Sequence, residues 1–194
     1  MSTTAKQYPR IIAAARERVE AAGGIPALTL REIAATAELP LGSVRHVFAS
    51  KDALLIALAE DVLDIARVRQ QQAMAEANVL NRVMALLPQN DEARREVRVE
   101  LRVGLHASDP TLSVPVRHAF GAVARESERL IRATCEQVVD AMSRDSDVIR
   151  RTFERAGLIT LVEGLRFQTL RTSYDLETMF GVIRQHLTMV AHRR

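Results

Sequence analysis

The chain has no tryptophan and a single cysteine, Cys135, and aromatic residues make up 4% of its 194 positions. A lone cysteine excludes an intrachain disulfide and any cysteine-built metal site. Cys135 therefore reads as a small buried apolar residue on a helix. The five histidines, at 46, 106, 118, 186 and 192, lack metal-ligand spacing, so neither a metal nor another cofactor is expected. No stretch approaches the roughly 18 apolar residues of a membrane span, and no signal-peptide pattern is seen. No membrane partner is expected, and a reducing cytoplasm fits. Runs of alternating β-branched residues are missing too. The motifs H-E-x-x-H and G-x-S-x-G, a phosphate loop and any placeable pair of carboxylates are absent, so no catalytic residue is nominated and an enzyme is not expected.

Ala, Leu, Arg, Glu and Val dominate what is there, and 47% of the residues are apolar. That composition points to an all-α fold of one or two domains with a sizeable core. The net charge is only +3, but residues 1–51 hold seven basic and four acidic side chains, and the remainder holds 20 of each. The whole positive excess lies in the first quarter of the chain, where it would draw a phosphate backbone.

The stretch from Thr29 to Lys51 reads TLREIAATAELPLGSVRHVFASK. Thr29 and Glu32 stand in the relation of a capping box, with Leu28 and Ile33 placed for a hydrophobic staple. A helix is predicted from Leu30, with Ile33, Ala34 and Ala37 inward. A turn follows at Glu38-Leu39-Pro40, in which Leu39 plugs a small core. Pro40 has the fixed φ that suits a first helical position, so a second helix is predicted from about Pro40 to Val47. The spacing of Val44, Val47 and Phe48 turns them inward. Leu41, Gly42, Ser43, Arg45 and His46 are left outward. Two helices this short need a third to hold them. A helix-turn-helix that lays its second helix in a DNA major groove accounts for the arrangement.

This segment resembles the N-terminal domain of the tetracycline-repressor (TetR) family of transcriptional regulators. The matching residues are Thr29, Ile33-Ala34, Ala37, Gly42, Phe48, Ser50-Lys51 and Leu54-Leu55. The resemblance implies DNA contacts from Thr29, Leu30, Arg31, Leu41, Gly42, Ser43, Arg45, His46 and Lys51. Leu30 and Arg31 would meet the DNA backbone, and Gly42 would let the chain approach a phosphate. Ser43 can donate to a phosphate or a base edge, and Leu41 could touch a thymine methyl. The chain departs from the family at four positions: Glu38 where Gly is usual, Pro40 for Ser or Thr, Arg45 for Tyr, and Val47 for His. Losing a hydroxyl at 40 removes a cap worth about 1 kcal/mol. Arg45 offers a fork for guanine O6 and N7 in place of the family's backbone contact.

About nine helices are predicted. Residues 1–7 are polar and expected to be disordered, with Lys6 near phosphate. Pro9 fits the first turn of a helix that runs to about Ala22, with Ile12, Ala15 and Val19 inward and Gly23-Gly24 as its stop. Ser50 is expected to cap a long helix over 50–72, with Lys51 beside its N-terminal amides. Further helices are predicted near 78–87, 91–107, 113–143, 147–172 and 175–192, with Asp91 and Ser113 as cap candidates. The DNA-binding domain is taken as 1–51, continuing into the 50–72 helix, and a helical effector-binding and dimerisation domain as 52–194. In this family the shared helix would carry motion from one to the other. Residues 80–185 are similar to the C-terminal domain of the family's BetI-like branch.

Gly157 and Gly164 share a helix face with Ala156 and Thr160. The last helix offers Met179, Val182, Ile183, His186, Met189 and Val190. A two-fold four-helix interface through Ala156, Gly157, Thr160, Gly164, Met179, Val182, Ile183, His186 and Val190 would make a homodimer. Ordinary packing within one chain is the alternative. The resemblance also implies an effector pocket, for which Met74, Met84, Arg98, Leu101, Arg102, His106, Phe120 and Phe167 are candidates. Met and Phe at helical spacing also suit a plain core, and Arg98 and Arg102 with Glu100 also suit a solvated, salt-bridged face. The expected function is a homodimeric repressor, released from a palindromic operator by an unidentified small molecule. The alternative is a TetR-like regulator without such an effector, controlled by a protein or acting as an activator.

Overall fold

A computed structural model of the chain describes residues 3–21, 25–143, 147–171 and 175–192. Among the described residues lie nine α-helices and no strand: α1 (Thr3–Ala21), α2 (Leu30–Thr36), α3 (Leu41–Val47), α4 (Lys51–Ala75), α5 (Val79–Met84), α6 (Asp91–Leu105), α7 (Val114–Met142), α8 (Val148–Gln168) and α9 (Leu176–His192). The all-α expectation is met. No helix among the described residues is long and apolar enough to cross a membrane.

Short polar side chains set the helix starts by accepting from otherwise orphaned amides. Ser50 Oγ accepts from Ala53 N at 3.1 Å, and Asn78 Oδ1 accepts from Leu80 N at 2.8 Å. Asp147 Oδ1 accepts from Ile149 N at 2.9 Å, and Asp175 Oδ1 accepts from Glu177 N at 3.1 Å. α6 differs from expectation. Its cap is Asn90, whose Oδ1 accepts from Ala93 N at 2.8 Å, while Asp91 is the first helical residue and pairs with Arg94 at 3.4 Å. Ser113 accepts from Val116 N at 3.5 Å at the start of α7. α1 also departs from the reading, since it begins six residues before Pro9. Pro9 withholds only the N–H that would reach the carbonyl one turn back, which a long helix survives. The expected stop at Gly23-Gly24 and parts of the turns at 145–147 and 172–175 lie outside the described residues.

Two compact units are formed, each drawn from two stretches of the chain. The first comprises Met1–Asp64 with Arg98–Glu126. Ile11, Ile12, Val19, Ile33, Val44, Leu55, Leu58 and Phe120 form its core. Arg98 and Arg102 of α6 explain the regrouping. Arg98 pairs with Glu20, and Arg102 Nη1 donates to the Val19 carbonyl at 2.6 Å and to the Glu20 carbonyl. A guanidinium thus satisfies carbonyls in the last turn of α1, where cationic groups are favoured.

The second unit comprises Ile65–Val97 with Ser127–Arg194. Its core is built from Val83, Leu87, Cys135, Val138, Leu158, Val162, Met179, Ile183 and Leu187. Arg166, 3% exposed, crosses from α8 to donate to the Leu86 carbonyl at 3.1 Å. A buried arginine is tolerable because its N–H groups find acceptors.

Burial pushes the Cys135 thiol up to about 12, with Glu163 and Glu136 adding to the effect. The thiolate is the reactive form. In the folded protein Cys135 is expected not to react with an aromatic disulfide reagent at pH 8, and to react stoichiometrically in denaturant. Rapid labelling of the native protein would show that the second core opens around it.

Candidate nucleic-acid interface

The first unit holds α2 by both ends. At its start the Thr29 hydroxyl accepts from Glu32 N at 3.2 Å, and the Glu32 carboxylate accepts from Thr29 N at 2.9 Å, closing the capping box. Glu32 also takes a hydrogen bond from Arg18 at 3.3 Å. Its carboxyl is held below the usual range, first by the Thr29 side chain and then by the Thr29 amide, with Arg18 and Lys51 assisting. The contribution is therefore complete above the ordinary carboxylate pKa and fades only as pH falls through the lowered one.

At its end Glu38 N reaches the Ala35 carbonyl at 3.1 Å, and Leu39 N reaches Ala34 at 2.9 Å. This is the Schellman pattern, which needs a left-handed residue just past the helix. Glu38 is that residue, with φ of 52°. It stands where glycine would be unstrained. Arg10 of α1 donates to the Ala37 carbonyl at 2.9 Å, pinning the turn from outside. Leu39 is half-buried against the core, as a plug should be.

Pro40 precedes α3 as its N-cap rather than its first residue, and it offers no side-chain cap. Its carbonyl accepts from Ser43 N at 2.9 Å. Along α3, Val44 is fully buried and Phe48, just past the helix, is 5% exposed, while Gly42, Arg45 and His46 face solvent. Nothing lies within 4 Å of a Cβ built on Gly42. Ser43 is half-exposed. Leu41, Leu30 and Val47 pack partly on the core, so Leu41 is only half outward and Val47 only half inward. The seven-residue helix has no room for a clean division between two apolar faces. Arg31 and Thr29 are exposed, and Lys51 opens α4. Partial burial pushes the Lys51 amine down, offset by Asp52 and Glu32, which brings the starts of α2 and α4 within electrostatic reach of each other.

Two positioning residues escaped the sequence reading. The Tyr8 ring stacks on Phe48 at 5.4 Å between centroids, tilted by 38°. Arg10 supplies the bond to Ala37. Both stand on α1, 40 and 27 positions before the residues they hold, and no local signal in the sequence pairs them.

The other nominated residues are spread out. Of the pocket candidates, Arg98, Leu101, Arg102, His106 and Phe120 belong to the first unit, and Met74, Met84 and Phe167 to the second. Arg98 and Arg102 serve α1, and His106 Nδ1 lies 2.8 Å from the Arg102 carbonyl. Phe120 and Met84 are core, and Phe167 is exposed. The solvated-face alternative is also corrected, because Glu100 is 4% exposed. Of the dimer candidates, Met179, Ile183 and Val190 are buried in their own unit. With Leu187 they form the inward stripe of α9, and the helical repeat leaves Val182 outside. Ala156, Thr160 and Gly164 are exposed, and Gly157 and His186 are half-exposed.

A capped scaffold helix, a tight turn and a second helix with its polar side in solvent define a helix-turn-helix DNA-binding protein. Residues 11–58 match the family model described as bacterial regulatory proteins, tetR family. The match covers the helix-turn-helix segment, which is thus similar to the DNA-binding part of tetR-family regulators. The chain is 26% identical to the HTH-type transcriptional regulator PksA of Bacillus subtilis, over 92% of this chain and 87% of that protein. The fold resembles that of a transcriptional regulator from Rhodococcus sp. Rha1, with a TM-score of 0.73 at 18% identity, covering 97% of this chain and 96% of the other. It also resembles a Saccharomonospora viridis regulator solved in complex with choline, with a TM-score of 0.71 at 19% identity, covering 97% of each chain. The similarity to the BetI-like branch is not resolved by these comparisons.

Replacing Glu38 by glycine is expected to stabilise the first unit by about 1 kcal/mol, because relief of the left-handed strain outweighs the extra freedom of the unfolded chain. A urea midpoint that does not rise would mean that the Glu38 side chain offsets its own backbone cost.

Proposed function

We propose that the protein is a homodimeric repressor that reads a palindromic operator through α3 and is released from it by a small-molecule effector. The observation that carries the DNA part is the orientation of α3, with Val44 and Phe48 buried and Arg45 and His46 in solvent. Arg45 is the base-reading residue, through guanine O6 and N7. Thr29, Leu30, Arg31, Gly42, Ser43 and Lys51 position the backbone, with half-buried Leu41 contributing its exposed edge. The DNA-binding domain is residues 1–51 continuing into α4, with the effector and dimer functions in the remainder.

The dimer reading is supported by an apolar stripe on α8, where Phe153 is 73% and Phe167 47% exposed, with Ala156, Thr160 and Gly164 between them. Val182 on α9 adds to it. The effector reading is supported by structural neighbours solved with choline and, for the Bacillus subtilis regulator FadR, with stearoyl-CoA. Similarity of residues 80–185 to the BetI-like branch belongs to the same proposal. The reading without an effector is favoured by one observation: five of the eight nominated pocket residues are engaged in the first unit's own packing or lie beside it.

Selection of bound DNA from a random pool is expected to return a palindrome with half-sites about 10 base pairs apart. Arg45→Ala is expected to weaken binding by about 1–3 kcal/mol and to relax one base position. An equal loss on every sequence would make Arg45 a phosphate contact. Lys51→Ala is expected to lower the salt slope by about 1 without changing sequence preference. An unchanged slope would remove Lys51 from the interface. A Cβ on Gly164 meets nothing within 4 Å in its own protomer. Gly164→Leu should therefore leave the protomer intact and break the dimer in sedimentation, and an unperturbed dimer would exclude this face.

A further inference from the structure

Side chains of α1 tie the reading helices into one head. Arg18 reaches Glu32 at the start of α2, and Arg10 donates to the Ala37 carbonyl in the turn before α3. Tyr8 stacks on Phe48 just past α3, and Arg16 pairs with Asp61 of α4 at 3.5 Å. The chain leaves this head along α4, and a single rod lets a body turn about it. A second hold is made at the last turn of α1. Arg98 and Arg102 stand four residues apart on α6 and so share a face. Arg98 pairs with Glu20, and Arg102 Nη1 donates to the Val19 carbonyl at 2.6 Å and to the Glu20 carbonyl.

Val99 and Val103 of α6 also belong to the first unit's core. Apolar burial carries no direction. A hydrogen bond does, because it weakens steeply as its angle closes. One guanidinium nitrogen held on two consecutive carbonyls therefore fixes the angle between α6 and α1 more narrowly than the core does. We propose that Arg102, with Arg98 beside it, is a positioning residue for operator reading. Through α1 it sets the angle at which α3 is presented, and hence the half-site spacing that a dimer accepts. The inference rests on the dimeric reading of a palindrome given above. One added base pair moves a half-site by about 3.4 Å along the duplex and about 34° around it. A head held at one angle cannot follow that displacement, and a loosened head can. Contact with one half-site alone does not depend on the angle.

The test is titration of the full chain, well below its unfolding midpoint, with three duplexes. One bears a single half-site, one bears two at the selected spacing, and one bears two with a base pair added between them. The unaltered chain is expected to prefer the selected spacing over the lengthened one by about tenfold or more. Arg102→Gln is expected to erase most of that preference and to leave affinity for the single half-site unchanged. Arg98→Gln is expected to lower the preference in the same way by a smaller factor, and it carries the test alone if Arg102→Gln does not fold. A loss shared equally by one and two half-sites would overturn the proposal, since the arginines would then only stabilise the head. So would a spacing preference that survives both substitutions. If a second half-site adds nothing to binding by the unaltered chain, the dimeric reading itself fails, and this inference fails with it.

Discussion

The burial of Val44 and Phe48 fixes the rotation of α3 about its own axis, and what that helix presents follows from the rotation. Seven residues cannot sustain a helix in water. α3 persists because it is clamped at both ends, by the Pro40 carbonyl in front and by the stacked Tyr8 and Phe48 rings behind. The turn that feeds it is likewise held by three separate devices: the left-handed Glu38, the half-buried Leu39 and the Arg10 bond to Ala37. Rigid placement of a short reading element lowers the ordering cost of binding.

Local chemistry was legible in the sequence, and distant chemistry was not. Thr29 and Glu32 are three residues apart and could be paired on sight. The inward faces of α2 and α3 follow from helical spacing, and the cap at Ser50 is equally local. Arg98 and Arg102 read as surface arginines because their partners stand about 80 positions earlier. The same blindness scattered the pocket candidates, since Met and Phe at helical spacing do not say which core they fill. On α9 the apolar positions were recognised, but the sequence offered more of them than one stripe holds. Only packing decided that Met179, Ile183, Leu187 and Val190 turn inward and Val182 outward.

Polar groups in the second unit divide into satisfied and unsatisfied ones, and the division is informative. Arg166 is almost wholly buried and reaches a carbonyl. Thr134 is fully buried and donates to the Leu130 carbonyl at 3.0 Å. Both lock helices to one another or to themselves. Glu154 is 6% exposed, and its Oε2 is buried without a hydrogen-bond partner.

The bond from Arg102 to the end of α1 has a bearing on how the chain is made. The carbonyl it satisfies at Val19 lies 83 positions earlier. While the polypeptide emerges from the ribosome, the reading helices leave first and wait for residues near 102 before the unit that carries them is closed. A fragment cut after the first half of α4 would lack that clasp, together with Val103, Val116 and Phe120 from the same core. The DNA-reading head is contiguous in sequence, but its completion is deferred to the middle of translation.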